Sequence, residues 1–137
     1  MLHACLNELG FKCRQIICTF RWDEQKIKYP QRLESILKEG SWLHGHTYLQ
    51  IEVDDRWVDT DVTWNPKLKP YGFKTFPEKW NGETPFIGID NIKRRWVGLK
   101  GKEIRTNLIE SLTVETRDRR ERFLKEFFKW IDSLNKT

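Results

Sequence analysis

His46-Thr-Tyr-Leu-Gln-Ile-Glu-Val-Asp-Asp-Arg-Trp-Val-Asp-Thr-Asp61-Val-Thr-Trp-Asn-Pro66 is the stretch that decides the fold. From His46 to Val53 the residues alternate, with Leu49, Ile51 and Val53 on one face and His46, Tyr48 and Gln50 on the other, the period of a strand. Trp57 to Thr63 alternates again, and Asp54-Asp55 between them is turn material. With those two residues as the loop, Val53 faces Arg56, Gln50 faces Asp59, Tyr48 faces Asp61 and His46 faces Thr63. Asp61 is then the diagonal same-face neighbour of His46, roughly 7 Å away and within side-chain reach. Asp59 shares that face one pair further off. A loop one residue longer or shorter would turn Asp61 to the opposite face. The expected pairing is His46 with Asp61.

A histidine oriented by an aspartate is two-thirds of a nucleophilic triad. The carboxylate fixes the imidazole tautomer and stabilises the imidazolium, and the ring acts as base toward a Cys or Ser. On pattern alone, a polar outer face of a strand pair is the commoner reading.

The order His46, alternating strand, short turn, Trp57, Asp61, Thr63 resembles the transglutaminase-like superfamily of papain-type thiol enzymes. The likeness continues through Thr63-Trp64-Asn65-Pro66, Tyr71-Gly72-Phe73 and Trp80-Asn81-Gly82. Upstream, Leu6-Asn-Glu-Leu9-Gly10-Phe11-Lys-Cys-Arg14 resembles the end of the family's nucleophile helix and the start of its first strand. Residues 2 to about 90 are covered, and the His/Trp/Asp/Thr spacing is the specific part. The resemblance implies an α+β, papain-like fold with His46 as general base and acid and Asp61 as its orienter. Its chemistry would be thiol acyl transfer or amide hydrolysis on a peptide or protein, through a thioester.

One departure outweighs these agreements. In the family the nucleophilic Cys begins the first helix, about four turns before its terminal Leu-Gly; counting back that far from Gly10 passes Met1. Cys5 falls about ten residues too late, roughly 15 Å along a helix axis, and lacks the helix N-terminus that lowers a thiol pKa. Cys13 and Cys18 fall on the next strand beside Ile16, Ile17 and Phe20, where Cys behaves as a small hydrophobe. The 137 residues are therefore expected to carry a dyad without its nucleophile, as a truncated or catalytically inactive relative.

Composition fits one domain over residues 1–137. A chain of 137 residues is near the single-domain mode. At 38% hydrophobic and 33% charged, with seven Trp and eight Phe, it has the means to build a core and is not disordered. Three cysteines without regular spacing argue against a disulfide framework and fit a reducing cytoplasm. Met1-Leu-His-Ala-Cys-Leu has no basic segment and soon meets Asn7 and Glu8, unlike a secretory signal, and no apolar run approaches membrane-spanning length.

Residues 2–9 read as a short helix stopped by Gly10, packed on an antiparallel sheet. Phe11 to Phe20 reads as a strand, Arg21 to Tyr29 as polar loop, and Pro30 to Gly40 as a helix begun by Pro and ended by Gly. Asn65 to Gly88 holds four of the five prolines and reads as irregular chain over the sheet. Arg94 to Val97 is one more strand or a loop. Residues 116–134 read as a long amphipathic helix, with Phe123, Phe127, Ile131 and Leu134 as its stripe and Leu124, Phe128 and Trp130 widening it.

Residues 93–137 hold 13 Lys+Arg against 7 Asp+Glu, so the C-terminal extension from 91 is basic. Arg117, Arg119, Arg120 and Arg122 open the last helix, where cations oppose its dipole. With Trp96 and Trp130 they suggest a nucleic-acid surface, but a solvated face is the stronger reading. His44-Gly-His46, with Asp61 as a third donor, suggests a metal, but nothing completes a ligand set, and neither metal nor cofactor is expected. A short first helix would leave apolar surface for another chain, so a two-fold homodimer is expected, with the C-terminal stripe as one candidate cover, within its own chain or across the dimer. The competing function is a non-catalytic module that binds peptide in the groove or nucleic acid on the basic helix.

Overall fold

The computed structural model describes residue 10, residues 12–98 and residues 101–136. The elements are β1 (Cys13–Phe20), α1 (Gln31–Glu39), β2 (His44–Val53), β3 (Arg56–Thr60), β4 (Arg94–Val97), α2 (Gly101–Glu110) and α3 (Val114–Asn135). Short 3₁₀ turns cover Trp22–Glu24 and Pro66–Tyr71. The architecture is α+β: four antiparallel strands in the order β3-β2-β1-β4, with helices against the sheet. The helix expected over residues 2–9 lies outside the described residues.

The β2–β3 hairpin has the expected register, with Val53 opposite Arg56 and Gln50 opposite Asp59. Asp54 (φ 49°) and Asp55 (φ 62°) both adopt left-handed conformations, the geometry of a two-residue turn whose twist matches its strands. Pairing stops at Leu49 opposite Thr60. Beyond it β3 turns its outer edge to Phe86: Phe86 N–H donates to Asp59 O at 2.9 Å and Asp61 N–H to Phe86 O at 3.2 Å. The expected strand to Thr63, with Thr63 opposite His46, is therefore three residues too long.

Ladder partners project to one side of a sheet, so Cys18, His46 and Arg95 share a face with Ile16, Phe20 and Tyr48. Ile16, Cys18 and Tyr48 cluster beneath Ile87 and Ile92. Phe20 belongs to a larger core with Trp22, Leu33, Trp42, Phe73 and the α3 residues Phe123, Phe127 and Trp130. On the opposite face, α2 begins hard against β1, where a Cβ on Gly101 would stand 2.5 Å from Ile17 Cδ1.

Helix α1 starts after Pro30 and stops at Gly40, burying Leu33, Ile36 and Leu37. Helix α3 starts two residues earlier than expected, because Thr113 Oγ1 accepts from Thr116 N–H as N-cap. Phe128, expected on the apolar side, is 59% exposed, whereas Trp130 is buried. The apolar stripe is covered within its own chain: Trp22 lies 5.3 Å from Phe123 and 4.8 Å from Phe127 between ring centroids.

The basic run is not one solvated face. Arg119 is buried, paired with Glu115 at 3.4 Å and laid over Gly40, where a Cβ would stand 2.6 Å from its Nη1. Arg122 clamps Glu39 of α1 through two nitrogens at 3.2 and 2.8 Å. Arg117 donates to the carbonyls of Glu110 and Leu112, closing the turn between α2 and α3.

Candidate active site

Strand β2 carries His46 and the residue following β3 by one carries Asp61. His46 Nε2 lies 2.8 Å from Asp61 Oδ2. A neutral imidazole in this contact donates from Nε2–H, which leaves the Nδ1 lone pair as the basic site. Asp59 is engaged elsewhere, accepting from Gln50 Nε2 at 2.8 Å and Arg95 Nη2 at 2.9 Å.

Asp61 is held from three directions. Its side chain is 1% exposed, against 11% for His46. Oδ2 also accepts from Gly88 N–H at 2.9 Å, and Oδ1 accepts from Thr63 N–H at 3.1 Å and from Thr63 Oγ1. Burial pushes this carboxyl upward, but the bond and charge of His46, with the bonds from Thr63 and Gly88, outweigh it and hold the pKa below the ordinary value. The site therefore keeps a carboxylate where an apolar pocket would protonate it.

Gly88 is a positioning residue with no local signal in the sequence, since it reaches Asp61 from 27 positions away. Trp64 Nε1–H donates to Gly88 O at 3.0 Å and fixes that segment. A Cβ on Gly88 would lie 3.2 Å from Asp61 Oδ2, 3.1 Å from Trp64 Cδ1 and 3.3 Å from Lys74 O. Gly88→Ala is expected to displace the carboxylate and cost about 1–3 kcal/mol of stability. Proton NMR checks it: the protected imidazole Nε2–H resonance should be lost, and its persistence at unchanged shift would refute the crowding.

The remaining expected residues are dispersed. Trp57 is 38% exposed beneath the Arg14 guanidinium, 4.2 Å from its ring. His44 shares the His46 face, but its Nδ1 accepts from Trp42 Nε1–H at 3.3 Å and its ring packs on Phe20 and Trp22. Burial, then the charges of Arg120, Arg105 and His46, hold His44 down to a pKa of about 3. Among the described residues no three His, Cys, Asp or Glu side chains converge as a metal-binding group. Cys5 lies outside the described residues. Cys18 is the direct ladder partner of His46, yet it is fully buried, and burial followed by the Asp61 charge pushes its thiol up to about 12. A thiol so placed stays protonated and is a poor nucleophile.

No protein-family model matches the chain, and no curated protein or solved structure is significantly similar to it.

Proposed function

We propose that this chain is a transglutaminase-like, papain-type domain that supplies the base-and-orienter half of a thiol acyl-transfer site, with His46 as general base and acid and Asp61 as its orienter. The carrying observation is the 2.8 Å Nε2–Oδ2 contact to a carboxylate buried and bonded on both oxygens. That arrangement fixes which ring nitrogen is basic, and a solvated polar strand face has no need of it. A peptide or protein carboxamide is the substrate class the resemblance implies. Neither Cys13 nor Cys18 suits the nucleophile's role, since even the half-exposed Cys13 has its thiol pKa raised by burial. The 137-residue polypeptide is therefore proposed to be inactive in acyl transfer by itself.

The second reading is a non-catalytic binding module. Its nucleic-acid form is the weaker one, because Trp130 is buried and Arg119 and Arg122 are committed to Glu115, Glu39 and Asp118. A peptide-binding groove keeps the same fold and dispenses with the nucleophile. Among the described residues no helix is long and apolar enough to cross a membrane. A cytoplasmic setting rests on the cysteine usage alone.

Titration with iodoacetamide, alongside turnover of a glutamine peptide with an amine acceptor, tests the proposal. Slow alkylation unaffected by His46→Ala, with no turnover, is expected. Fast stoichiometric labelling at Cys5, Cys13 or Cys18, with turnover abolished by His46→Ala, would overturn the inactive reading and identify the nucleophile.

A further inference from the structure

A cavity of about 170 Å³ lies between the start of β2, helix α2 and the first turns of α3. Its polar side chains are His44, Arg105 and Arg120, and Leu43, Leu108 and Leu112 are among its apolar walls. Among the described residues Arg120 pairs with no carboxylate, although its neighbours Arg119 and Arg122 both do. Arg120 is half-buried, and that burial disfavours its charge by more than the adjacent Glu121 favours it. Arg105 donates only to the Thr47 hydroxyl among the described residues. It lies across β2 because position 45 is glycine: a Cβ there would stand 3.2 Å from Arg105 Cγ.

His44 completes the set. Its Nδ1 accepts from Trp42, so the neutral ring carries its proton on Nε2 and has only a donor left to offer. Every polar side chain lining the cavity thus offers hydrogen-bond donors, two of them cationic, and no acceptor side chain is among the lining residues. Arg120 stands half-buried with only the adjacent Glu121 to offset that cost, and a second guanidinium, on the exposed Arg105, opens onto the same cavity. A lining of this kind complements an oxyanion, whose oxygens only accept and whose geometry suits the guanidinium fork.

We propose that this cavity is a binding site for a small oxyanion, the carboxylate or phosphate group of a ligand, held by Arg120, Arg105 and His44. The site is independent of the His46–Asp61 dyad and stands or falls separately from the acyl-transfer reading. An anion there adds to Arg120 a counter-charge beyond the adjacent Glu121 and gives Arg105 a second acceptor beside the Thr47 hydroxyl.

Thermal unfolding of the full chain at pH 7.5 tests the proposal, with inorganic phosphate or acetate replacing chloride at constant ionic strength. Saturable stabilisation by at least one of them is expected, weakened at least tenfold in half-saturation by Arg120→Gln and by Arg105→Gln. Stabilisation by phosphate alone assigns a phosphate ligand, and by acetate alone a carboxylate. Lys125→Gln, a cation outside the cavity, should leave the response unchanged. Arg120→Gln should also raise the melting temperature in chloride, because it removes a half-buried charge whose burial cost outweighs the attraction of Glu121. The proposal is overturned if neither anion stabilises saturably, if Lys125→Gln weakens the response as much as Arg120→Gln, or if Arg120→Gln lowers the melting temperature in chloride.

Discussion

Phe127→Asp is expected to unfold the domain outright. Phe127 is 1% exposed and packs against Trp22, Trp64 and Phe73 with ring centroids 4.8, 6.1 and 6.2 Å away. Truncating such a side chain to alanine costs about 3–5 kcal/mol, and an unpaired buried carboxylate adds several more. A domain of this size has about 5–15 kcal/mol in total. Far-ultraviolet circular dichroism in a urea series measures the loss. Phe128→Asp, one residue along and exposed, should change stability by no more than about 0.5 kcal/mol. The contrast bears on self-association too, since of the two covers the stripe could supply, within its own chain or across a dimer, its packing is with its own chain. A Phe127→Asp protein that stays folded while a dimer dissociates would show that the stripe works between subunits instead.

Legibility in the sequence followed how local each determinant is. The hairpin register depends on adjacent residues, alternation on both arms and two aspartates that tolerate positive φ, so pattern reading reaches it. Helix α1, bracketed by Pro30 and Gly40, and the stripe of α3 are local in the same sense. Helix α2 leaves little trace in the sequence: it begins at a glycine, contains Thr106 and Asn107, and shows only Ile104, Leu108 and Ile109 as an apolar side. Trp22 is buried in what reads as a polar loop, because a 3₁₀ turn swings it beneath α3. Arg119 is buried inside a run that reads as solvated, and the space for it is made by Gly40, 79 positions earlier. The closure over Asp61 is the least legible part. Phe86 and Gly88 reach β3 through a segment rich in proline, and nothing in their own neighbourhood announces the contact.

Asp61→Asn is expected to cost about 3–5 kcal/mol and to invert the histidine tautomer. Both carboxylate oxygens receive donors: His46 and Gly88 at Oδ2, Thr63 twice at Oδ1. An asparagine keeps one oxygen, so its NH2 must face donors on one side or the other. The less costly choice leaves the oxygen toward Thr63 and turns the NH2 to His46, where the ring can respond by accepting at Nε2 and carrying its proton on Nδ1. Gly88 N–H is then left without an acceptor in a buried site, a loss of about 1–3 kcal/mol by itself. The basic nitrogen would now be the one facing residue 61, and any thiol presented to the other side would meet an N–H. Nitrogen-15 chemical shifts of the imidazole read this directly: Nε2–H in the parent, Nδ1–H in the variant, with an unchanged tautomer contradicting the orienting role. The pH dependence has a definite sign. Because the folded pKa of Asp61 lies below its unfolded value, its stabilisation is full above about pH 4 and is lost as pH falls through the folded value. The stability gap between parent and Asp61→Asn should therefore be widest near neutrality and narrow in acid, where the parent's carboxyl also becomes neutral.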